Sequence, residues 1–275
     1  MKLYLKTKDF SVSQEEFELH LDENTELLYT YPLPKDLDPY YDSDNYISHT
    51  DANRTLLERL YQIAKFFNLK RKEKYARNYC LDKRTILDIG AGTGDFLAYT
   101  RKRKWQVFGI EPNKGAREKA RSKGINVHAK MEDLGGNTFQ IITLWHVLEH
   151  LPNLDESIAR IYDLLEAQGT VFVAVPNFKS FDAKYYEKHW AAYDVPRHVW
   201  HFSKNAIQQK FKSHGFTLIK TFPIWLDAFY VAILSEKYKG SQWPMLKGMC
   251  FGLISNMKAL VSKQWSSHIY VLQKG

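Results

Sequence analysis

Hydrophobic positions divide the chain into short apolar runs and longer segments in which apolar residues recur at helical spacing. The short runs predict seven strands, at residues 85–89, 105–110, 125–128, 139–144, 170–175, 216–222 and 268–273. The helical spacing predicts helices at residues 95–104, 114–123, 154–166 and 203–214. Strands that alternate with helices in this way predict an α/β domain with a doubly wound, mostly parallel sheet.

Three segments depart from this alternation. Residues 1–51 are weakly periodic and contain three prolines, which predicts an N-terminal arm or cap before a domain at residues 52–275. Residues 177–202 are rich in aromatic and histidine side chains, and residues 225–264 contain two apolar helical stretches. Because both insertions directly follow a predicted strand, we expect them to cover a site at the carboxyl edge of the sheet.

The net charge of +8 is unevenly distributed along the chain. Residues 1–51 hold 12 acidic and 4 basic side chains, and the remainder carries a net charge of +16. A basic excess can attract nucleic acid or an anionic surface. Many of these lysines and arginines lie on predicted helices such as residues 114–123, where they are explained as the solvent-exposed faces of the helices. We therefore do not expect a nucleic-acid partner.

The cysteines and the N-terminal residues indicate the cellular compartment in which we expect the protein. The chain has two cysteines, Cys80 and Cys250, without the spacing of a metal site or a disulfide framework. The N-terminus lacks the apolar core of a signal peptide, and no uncharged apolar stretch is long enough to span a bilayer. We therefore expect a cytoplasmic protein with reduced thiols.

The strongest motif is ILDIGAGTG at residues 86–94, in which an apolar strand runs into a loop of alternating glycines. Gly90, Gly92 and Gly94 allow the backbone to approach a ligand that side chains would block. The carboxyl end of a strand is also where open α/β sheets bind ligands. Asp95 stands where the dinucleotide fingerprint G-x-G-x-x-G has its last glycine, which counts against a nicotinamide cofactor.

A second motif is the acid that closes the next predicted strand. Glu111 follows Gly94 by 17 residues. An acid at the end of the second strand can take both ribose hydroxyls of a nucleoside. A lone carboxylate at a strand end is usually only solvated, but in combination with the glycine loop Glu111 predicts a nucleoside site.

Together, these motifs resemble those of class I S-adenosylmethionine-dependent methyltransferases. Residues 87–94 are similar to the first motif of that family, and residues 109–111 are similar to its second-strand acid. Residues 139–151 are similar to the fourth-strand motif, and residues 164–175 to the helix and fifth strand that follow. A looser resemblance over residues 194–203 indicates a subgroup related to the ubiquinone-biosynthesis O-methyltransferases.

The resemblance implies a Rossmann-like fold with S-adenosylmethionine as cofactor and S-adenosylhomocysteine as product. It implies that Asp88 orders the glycine loop and the methionine amino group, that Glu111 binds the ribose, and that Met131 and Glu132 bracket the adenine. The cofactor-binding residues that it implies are Asp88, Gly90, Ala91, Gly92, Gly94, Glu111, Pro112, Met131, Glu132 and Trp145.

The candidates for catalysis are His146, Arg197, His198 and His201. The resemblance implies that His146 lies near the place where the sulfonium and the methyl acceptor meet. The other three lie among aromatic residues, which suits a substrate pocket, and a histidine with a pKa near neutrality can remove a proton from the acceptor. A packed aromatic hairpin with surface histidines explains the same residues equally well, and both interpretations stay open.

His146, Glu149 and His150 also have the residue types and spacing of metal ligands. Pro152 follows at once, so these residues do not lie inside the long helix that a zinc peptidase needs. The resemblance implies that some relatives hold a divalent metal at a similar Glu-His pair, with an acidic third ligand where this chain has His146. We expect hydrogen bonds that hold the loop, and no bound metal.

The predicted function is transfer of a methyl group from S-adenosylmethionine to a small or medium-sized organic acceptor, with O-methylation favoured. A nicotinamide-dependent oxidoreductase and a non-catalytic nucleoside-binding protein are the alternatives. Residues 244–261 carry an apolar helical stripe flanked by lysines. This stripe suits peripheral contact with a membrane surface, or packing on the domain or on another subunit.

Overall fold

The computed structural model describes residues 2–41 and 56–275. In these ranges the strands are β1 (Lys2–Lys8), β2 (Glu16–Asp22), β3 (Leu27–Tyr31), β4 (Thr85–Ile89), β5 (Gln106–Ile110), β6 (Val127–His128), β7 (Phe139–Trp145), β8 (Leu165–Pro176), β9 (Trp200–His201), β10 (Phe216–Pro223) and β11 (Ser267–Lys274). The α-helices are α1 (Leu56–Asn78), α2 (Asp95–Arg101), α3 (Lys114–Ser122), α4 (Leu154–Leu164), α5 (Phe181–Tyr186), α6 (Lys204–Lys212), α7 (Trp225–Tyr238) and α8 (Pro244–Ser262). Every strand and helix predicted between residues 85 and 273 is present, and only their ends differ.

Seven of the described strands form one sheet in the order β10-β11-β8-β7-β4-β5-β6. β4 pairs in parallel with β5 and β7, and β11 is antiparallel to both of its neighbours. The predicted doubly wound, mostly parallel sheet of seven strands is thus confirmed. The chain runs from β4 to β6 on one side and resumes at β7 on the other, so the crevice for a ligand lies at the carboxyl ends of β4 and β7.

Apolar side chains are buried on both faces of this sheet. Leu87 of β4 and Ile142 of β7 belong to one apolar cluster, and the adjacent Ile86 and Ile141 belong to a second; all four are fully buried. Successive residues of a strand point to opposite faces, so the two clusters lie on opposite sides of the sheet. Burial on both faces is typical of a parallel sheet covered by helices, and it holds the loops at the carboxyl edge in place.

Polar side chains begin the helices that flank the site. The Asn113 side chain accepts a hydrogen bond from the Ala116 amide at the start of α3, and the Ser203 side chain accepts one from the Ala206 amide at the start of α6. Each of these bonds satisfies an amide that the first helical turn leaves unpaired. Helix α2 ends earlier than predicted, because residues 102–104 form a turn.

The N-terminal residues form an antiparallel sheet with the order β1-β2-β3-β9, which we call the cap sheet. Its last strand comes from the 177–202 insertion. In β2, Phe17 and Leu19 are buried and Glu16 is exposed, an alternation with the period of a strand. The predicted arm therefore has a regular structure that its weak overall periodicity did not indicate. Residues 42–51 of the predicted arm lie outside the described residues.

The cap sheet packs against both insertions. One apolar cluster contains Leu28 of β3, Tyr186 of α5 and Val231 of α7. This shared core connects the N-terminal strands to α7, whose first turn lies at the site described below. Within residues 2–41 and 56–275, no helix is both long and apolar enough to cross a membrane.

Candidate functional site

The glycine loop, residues 90–94, joins β4 to α2 at the crevice. Gly90, Gly92 and Gly94 have φ values of 74°, 53° and 74°, in the left-handed region that favours glycine. A Cβ atom at Gly90 would clash with Val147, so the loop packs closely there. A Cβ atom at Gly92 would have no heavy atom within 4 Å. The middle of the loop therefore leaves its backbone open to a ligand.

Glu111, directly after β5, is held by two backbone amides. Its Oε2 accepts a hydrogen bond from the Gly92 amide at 2.9 Å, and its Oε1 accepts one from the Asn113 amide at 2.9 Å. Each carboxylate oxygen has a further lone pair, so both can still accept a ribose hydroxyl. Parallel pairing of β4 with β5 brings the acid and the glycine loop together, as the sequence predicts.

Asp88, near the end of β4, is buried beneath this loop. The Thr143 hydroxyl of β7 donates a hydrogen bond to its Oδ1 at 2.6 Å. Burial raises the pKa of Asp88 to about 7, although the Thr143 hydrogen bond and the positive charge of Lys72 oppose the shift. A cationic group that binds next to Asp88 would favour its ionised form.

Trp145 and Lys72 lie on the other side of the crevice. The Trp145 ring, at the end of β7, meets the edge of Phe96 of α2 with ring centroids 5.8 Å apart. The Lys72 Nζ of α1 lies 4.4 Å from the Trp145 ring centroid, in cation–π range. Burial lowers the pKa of Lys72 to about 8, against the attraction of Asp88 and Asp227. Helix α1 thus brings a cation to the carboxyl edge of the sheet.

The remaining predicted cofactor residues differ in exposure. Ala91 is buried, Met131 is half-buried against the core, and Pro112 and Glu132 are exposed. Met131 and Glu132 lie in a short helical turn after β6, which is the neighbour of β5 in the sheet. They are therefore on the Glu111 side of the crevice, and their contacts with adenine stay a prediction.

His146, directly after β7, lies between two carboxylates. Its Nδ1 is 3.4 Å from Glu149 Oε1, and its Nε2 is 3.2 Å from Asp227 Oδ2 of α7. We call these three residues the proton trio. The exposed fractions of the side chains are 40% for His146, 24% for Asp227 and 1% for Glu149, so the histidine is the accessible member. Burial opposes protonation of His146, but the two carboxylates outweigh it and raise its pKa to about 10. The trio therefore holds a proton at neutral pH.

The backbone of His146 has an unusual conformation. Its φ is 59°, and its amide donates a hydrogen bond to the Ala174 carbonyl at 2.9 Å. Residues other than glycine rarely adopt this region, and such strained positions concentrate at active sites. Seven other described residues that are not glycine, among them Gln14 and Lys104, also have a positive φ, so the functional interpretation of His146 rests on its contacts with the two carboxylates.

Arg197 and His201, two candidates for catalysis, have partners from the cap sheet and its loops. The Arg197 guanidinium is fully buried and forms ion pairs with Asp9 at 2.9 Å and with Asp194 at 2.6 Å. The His201 Nε2 lies 3.0 Å from the Thr30 hydroxyl, and burial lowers the pKa of His201 well below its usual range. These contacts give both residues a structural role that joins the cap to the domain, and their role in catalysis stays a prediction.

His198, the remaining candidate, lies beside Glu149 and His150, with ligand atoms of the three within 4.8 Å of one another. The His150 Nδ1 is 3.0 Å from the Arg197 carbonyl, so Nδ1 is the donor and Nε2 keeps a free lone pair. Burial lowers the pKa of His150 to about 4, which keeps the ring neutral. Among the residues that the structure describes, neither of the buried Glu149 oxygens has a hydrogen-bond partner, and His146 Nδ1 is 3.4 Å from Oε1. The three side chains fit a divalent cation, and His198 takes the place that the sequence assigned to His146.

Two site residues are absent from the sequence-based set. Asp227 lies within an apolar stretch at the start of α7, and an isolated acid there is a weak signal that could have identified it. Lys72 is one of several cations in α1, and nothing in its spacing distinguishes it from its neighbours. Only the packing of both helices on the sheet brings these side chains to the crevice.

More than half of the sequence matches a known protein family. A family model described as a methyltransferase domain matches residues 54–221, more than half of the chain. The chain belongs to this methyltransferase domain family. The matched range includes the glycine loop, Glu111 and His146, and the predicted class of enzyme, a methyltransferase, is confirmed. No protein of curated function matches the sequence.

Solved structures share the fold of this methyltransferase. Magnesium protoporphyrin IX methyltransferase from Synechocystis PCC 6803, with bound SAH, matches with a TM-score of 0.56 at 11% identity, over 86% of this chain and 97% of that chain. A cyclopropane synthase from Mycobacterium tuberculosis matches with a TM-score of 0.53 at 15% identity, over 86% and 88% of the two chains. A SAM-dependent methyltransferase from Archaeoglobus fulgidus matches with a TM-score of 0.50 at 17% identity, over 78% and 99%. These likenesses confirm the predicted Rossmann-like α/β fold, while the subgroup of ubiquinone-biosynthesis O-methyltransferases stays a prediction.

Proposed function

We propose that this methyltransferase transfers the methyl group of S-adenosylmethionine to an oxygen atom of a small or medium-sized organic acceptor. The observation that carries the proposal is the meeting of the glycine loop, Glu111 and Asp88 at the crevice. Glu111 suits the ribose hydroxyls of the donor. The Asp88 carboxyl and the Lys72 ammonium complement the amino and carboxylate groups of its methionine end. The Synechocystis methyltransferase with the same fold contains SAH, the demethylated form of this donor.

The proton trio supports an oxygen acceptor. In the proposed reaction the acceptor oxygen attacks the methyl carbon, the bond from carbon to sulfur breaks, and sulfur keeps the electron pair. A hydroxyl acceptor must also lose its proton, and His146, the exposed member of the trio, can take it once the trio has released the proton that it holds at neutral pH. Because the three side chains interact strongly, the proton is taken up by the trio as a whole. A residue that can accept a proton matters less for an unprotonated amine, so O-methylation is favoured.

Helix α7 connects the proton trio to the 225–264 insertion, which is expected to cover the site. Asp227 comes from the 225–264 insertion, whereas His146 and Glu149 come from the loop after β7. The insertion thus contacts His146, next to which we propose that the acceptor binds. Exclusion of water and alignment of acceptor, methyl and sulfur are the main tasks of such an enzyme, because the donor already has a good leaving group.

The donor assignment is tested by titration calorimetry with S-adenosylmethionine, S-adenosylhomocysteine and NAD. We expect both adenosyl compounds to bind and NAD to give no heat, because Asp95 stands in place of the third dinucleotide glycine. Tight binding of NAD without a response to the adenosyl compounds would overturn the proposal. Binding of the adenosyl compounds without turnover of any phenol or alcohol would favour a non-catalytic nucleoside-binding protein.

Replacement of Glu111 by alanine is expected to weaken cofactor binding by about 1.5–3 kcal/mol, because the ribose hydroxyls lose a charged partner. The fold should survive with a modest fall in melting temperature, since the Gly92 and Asn113 amides lose their acceptor but no core position is emptied. Calorimetry with S-adenosylhomocysteine measures the change. Glu118→Ala, at an exposed position of α3, is the matched control. Equal affinity of Glu111→Ala and the control would reject the role.

Removal of metal tests whether the cluster of Glu149, His150 and His198 binds a divalent ion or is metal-free. A divalent ion held there would polarise an acceptor oxygen as a Lewis acid. We expect dialysis against a chelator to leave the affinity for S-adenosylhomocysteine and the melting temperature unchanged, because the donor is held by the glycine loop and Glu111. Elemental analysis showing about one tightly bound divalent ion per chain, lost in His150→Ala, would contradict the prediction of a metal-free protein.

A further inference from the structure

The outer surface of the α7–α8 hairpin is apolar and exposed. More than half of the exposed large hydrophobic side chains in the described residues lie between positions 225 and 261. On α8 the most exposed large apolar side chains are Met245, Leu246, Met249, Leu253, Met257, Leu260 and Val261, with exposed fractions between 47% and 87%, and Ile254 is exposed to 37%. The apolar stripe that the sequence shows therefore faces away from the domain. We call these seven residues the α8 stripe.

The inner surface of α8 consists of small residues. Gly248, Gly252, Ser255 and Ala259 are buried. A Cβ atom at Gly248 would lie 2.5 Å from the Ile233 Cα, and one at Gly252 would lie 2.8 Å from the Phe229 Cα, so the two helix backbones approach closely. A helix pair in water places its large apolar side chains inside. Small residues inside and large apolar residues outside are typical of helices whose outer face meets lipid.

The charge of this region complements an anionic surface. Residues 237–275 contain six lysines and neither aspartate nor glutamate. Lys247, Lys258 and Lys263 are exposed next to the α8 stripe. A second copy of the chain, docked about a twofold axis, would set the same lysines against one another. Anionic lipid headgroups instead attract them, by about fivefold in binding per lysine near the surface.

Aromatic side chains border the apolar surface. Trp243 lies between the two helices with 65% of its surface exposed, and Tyr230 on α7 is also 65% exposed. Tryptophan and tyrosine are enriched at the boundary between lipid and water. We propose that the α7–α8 hairpin docks this enzyme on anionic lipid bilayers, with the α8 stripe inserted among the headgroups and the lysines in contact with phosphates. Asp227 of the proton trio lies on the same hairpin, so docking places the proposed acceptor site beside the bilayer.

The test is co-sedimentation with vesicles of phosphatidylcholine alone and of phosphatidylcholine mixed with phosphatidylglycerol. We expect binding to the mixed vesicles, weaker binding to the neutral ones, and a fall in binding with added salt. Leu253→Asp should lower the affinity on the order of tenfold to a hundredfold, because an apolar contact with lipid is replaced by a charge. Lys247→Gln combined with Lys258→Gln should lower it about 25-fold, which is about fivefold for each lysine.

Leu81→Asp is the matched control, because Leu81 is 59% exposed and Leu253 is 53% exposed. It should bind vesicles like the wild type, and circular dichroism should show equal melting temperatures for both variants. Three results would overturn the proposal. The first is no binding to the mixed vesicles, and the second is an equal loss of binding in Leu81→Asp. The third is a dimer in sedimentation equilibrium that Leu253→Asp dissociates, since a second copy would then cover the stripe.

Discussion

Replacement of Arg197 by methionine is expected to lower the free energy of unfolding by about 3–5 kcal/mol, because a buried ion pair loses one partner. Asp9 and Asp194 would keep their negative charges at a position where the guanidinium is 1% exposed. Chemical denaturation followed by circular dichroism measures the loss. Arg121→Met, at an exposed position of α3, is the control and should change stability little.

Neutralising the acids tests whether the loss comes from unpaired charge. The triple variant Asp9→Asn, Asp194→Asn, Arg197→Met should recover part of the stability, because no buried charge remains. A stable Arg197→Met variant that has lost only its methyl transfer would contradict the structural role and restore the catalytic one.

The same ion pairs predict a response to acid. Burial alone would raise the pKa of Asp9, but hydrogen bonds from Arg197 and the Ser13 amide outweigh it and lower the pKa to about 2. A carboxyl group whose pKa is depressed by folding adds stability above its unfolded pKa and loses it as the pH falls through the folded value. The wild type should therefore lose stability between about pH 4 and pH 2. The Arg197→Met variant should lose much less stability over this pH range.

Replacement of His146 by glutamine is expected to lower kcat by about 10²- to 10⁴-fold, the usual range for loss of a positioned proton-transfer group. The KM for S-adenosylmethionine should change little, because the proposed donor site is formed by the glycine loop and Glu111. Steady-state kinetics with the acceptor measure both constants. His20→Gln is the control, because His20 pairs with Glu18 on the cap sheet. A large rise in the donor KM with unchanged kcat would place His146 in the donor site.

The pH dependence separates proton transfer from a merely structural contribution of His146. Because its pKa is raised to about 10, the trio accepts a proton more readily as the pH rises, and kcat should increase from neutral pH toward about 10. The His146→Gln profile should be flat over this range. The raised pKa also implies that the stability contributed by protonated His146 is complete below its ordinary value of 6.5 and is lost as the pH rises through about 10.

The sheet and its donor site could be predicted because their signals are local. Residues 85–89 form a short run of β-branched and apolar residues interrupted only by Asp88, and the run leads directly into the glycine loop. Parallel strands place their carboxyl ends at one edge, so the loop after β4 and the acid after β5 had to meet. In the structure, the Glu111 carboxylate accepts a hydrogen bond from the Gly92 amide, so the loop and the acid meet as expected.

The cap was harder to predict because its strands are short and half-exposed. In β1 a single side chain, Thr7, is buried, so the alternation of apolar and polar residues is incomplete. β9 has only two residues and pairs with β3, far away in the sequence. Such a strand exists because a neighbour supplies hydrogen bonds, and its own residues carry almost no periodic signal.

The sequence by itself determined the α/β class, the order of the elements and the meeting of the glycine loop with Glu111, because spacing along the chain and strand pairing decide them. The tertiary structure decided the partners of the polar side chains. His146 meets Asp227 from a distant helix, and Arg197 meets Asp9 at a separation of 188 residues. It also decided that the large side chains of α8 face outward, because glycines on the opposite face pack against α7. Contacts of this kind depend on how elements pack in space, and residue spacing does not contain that information.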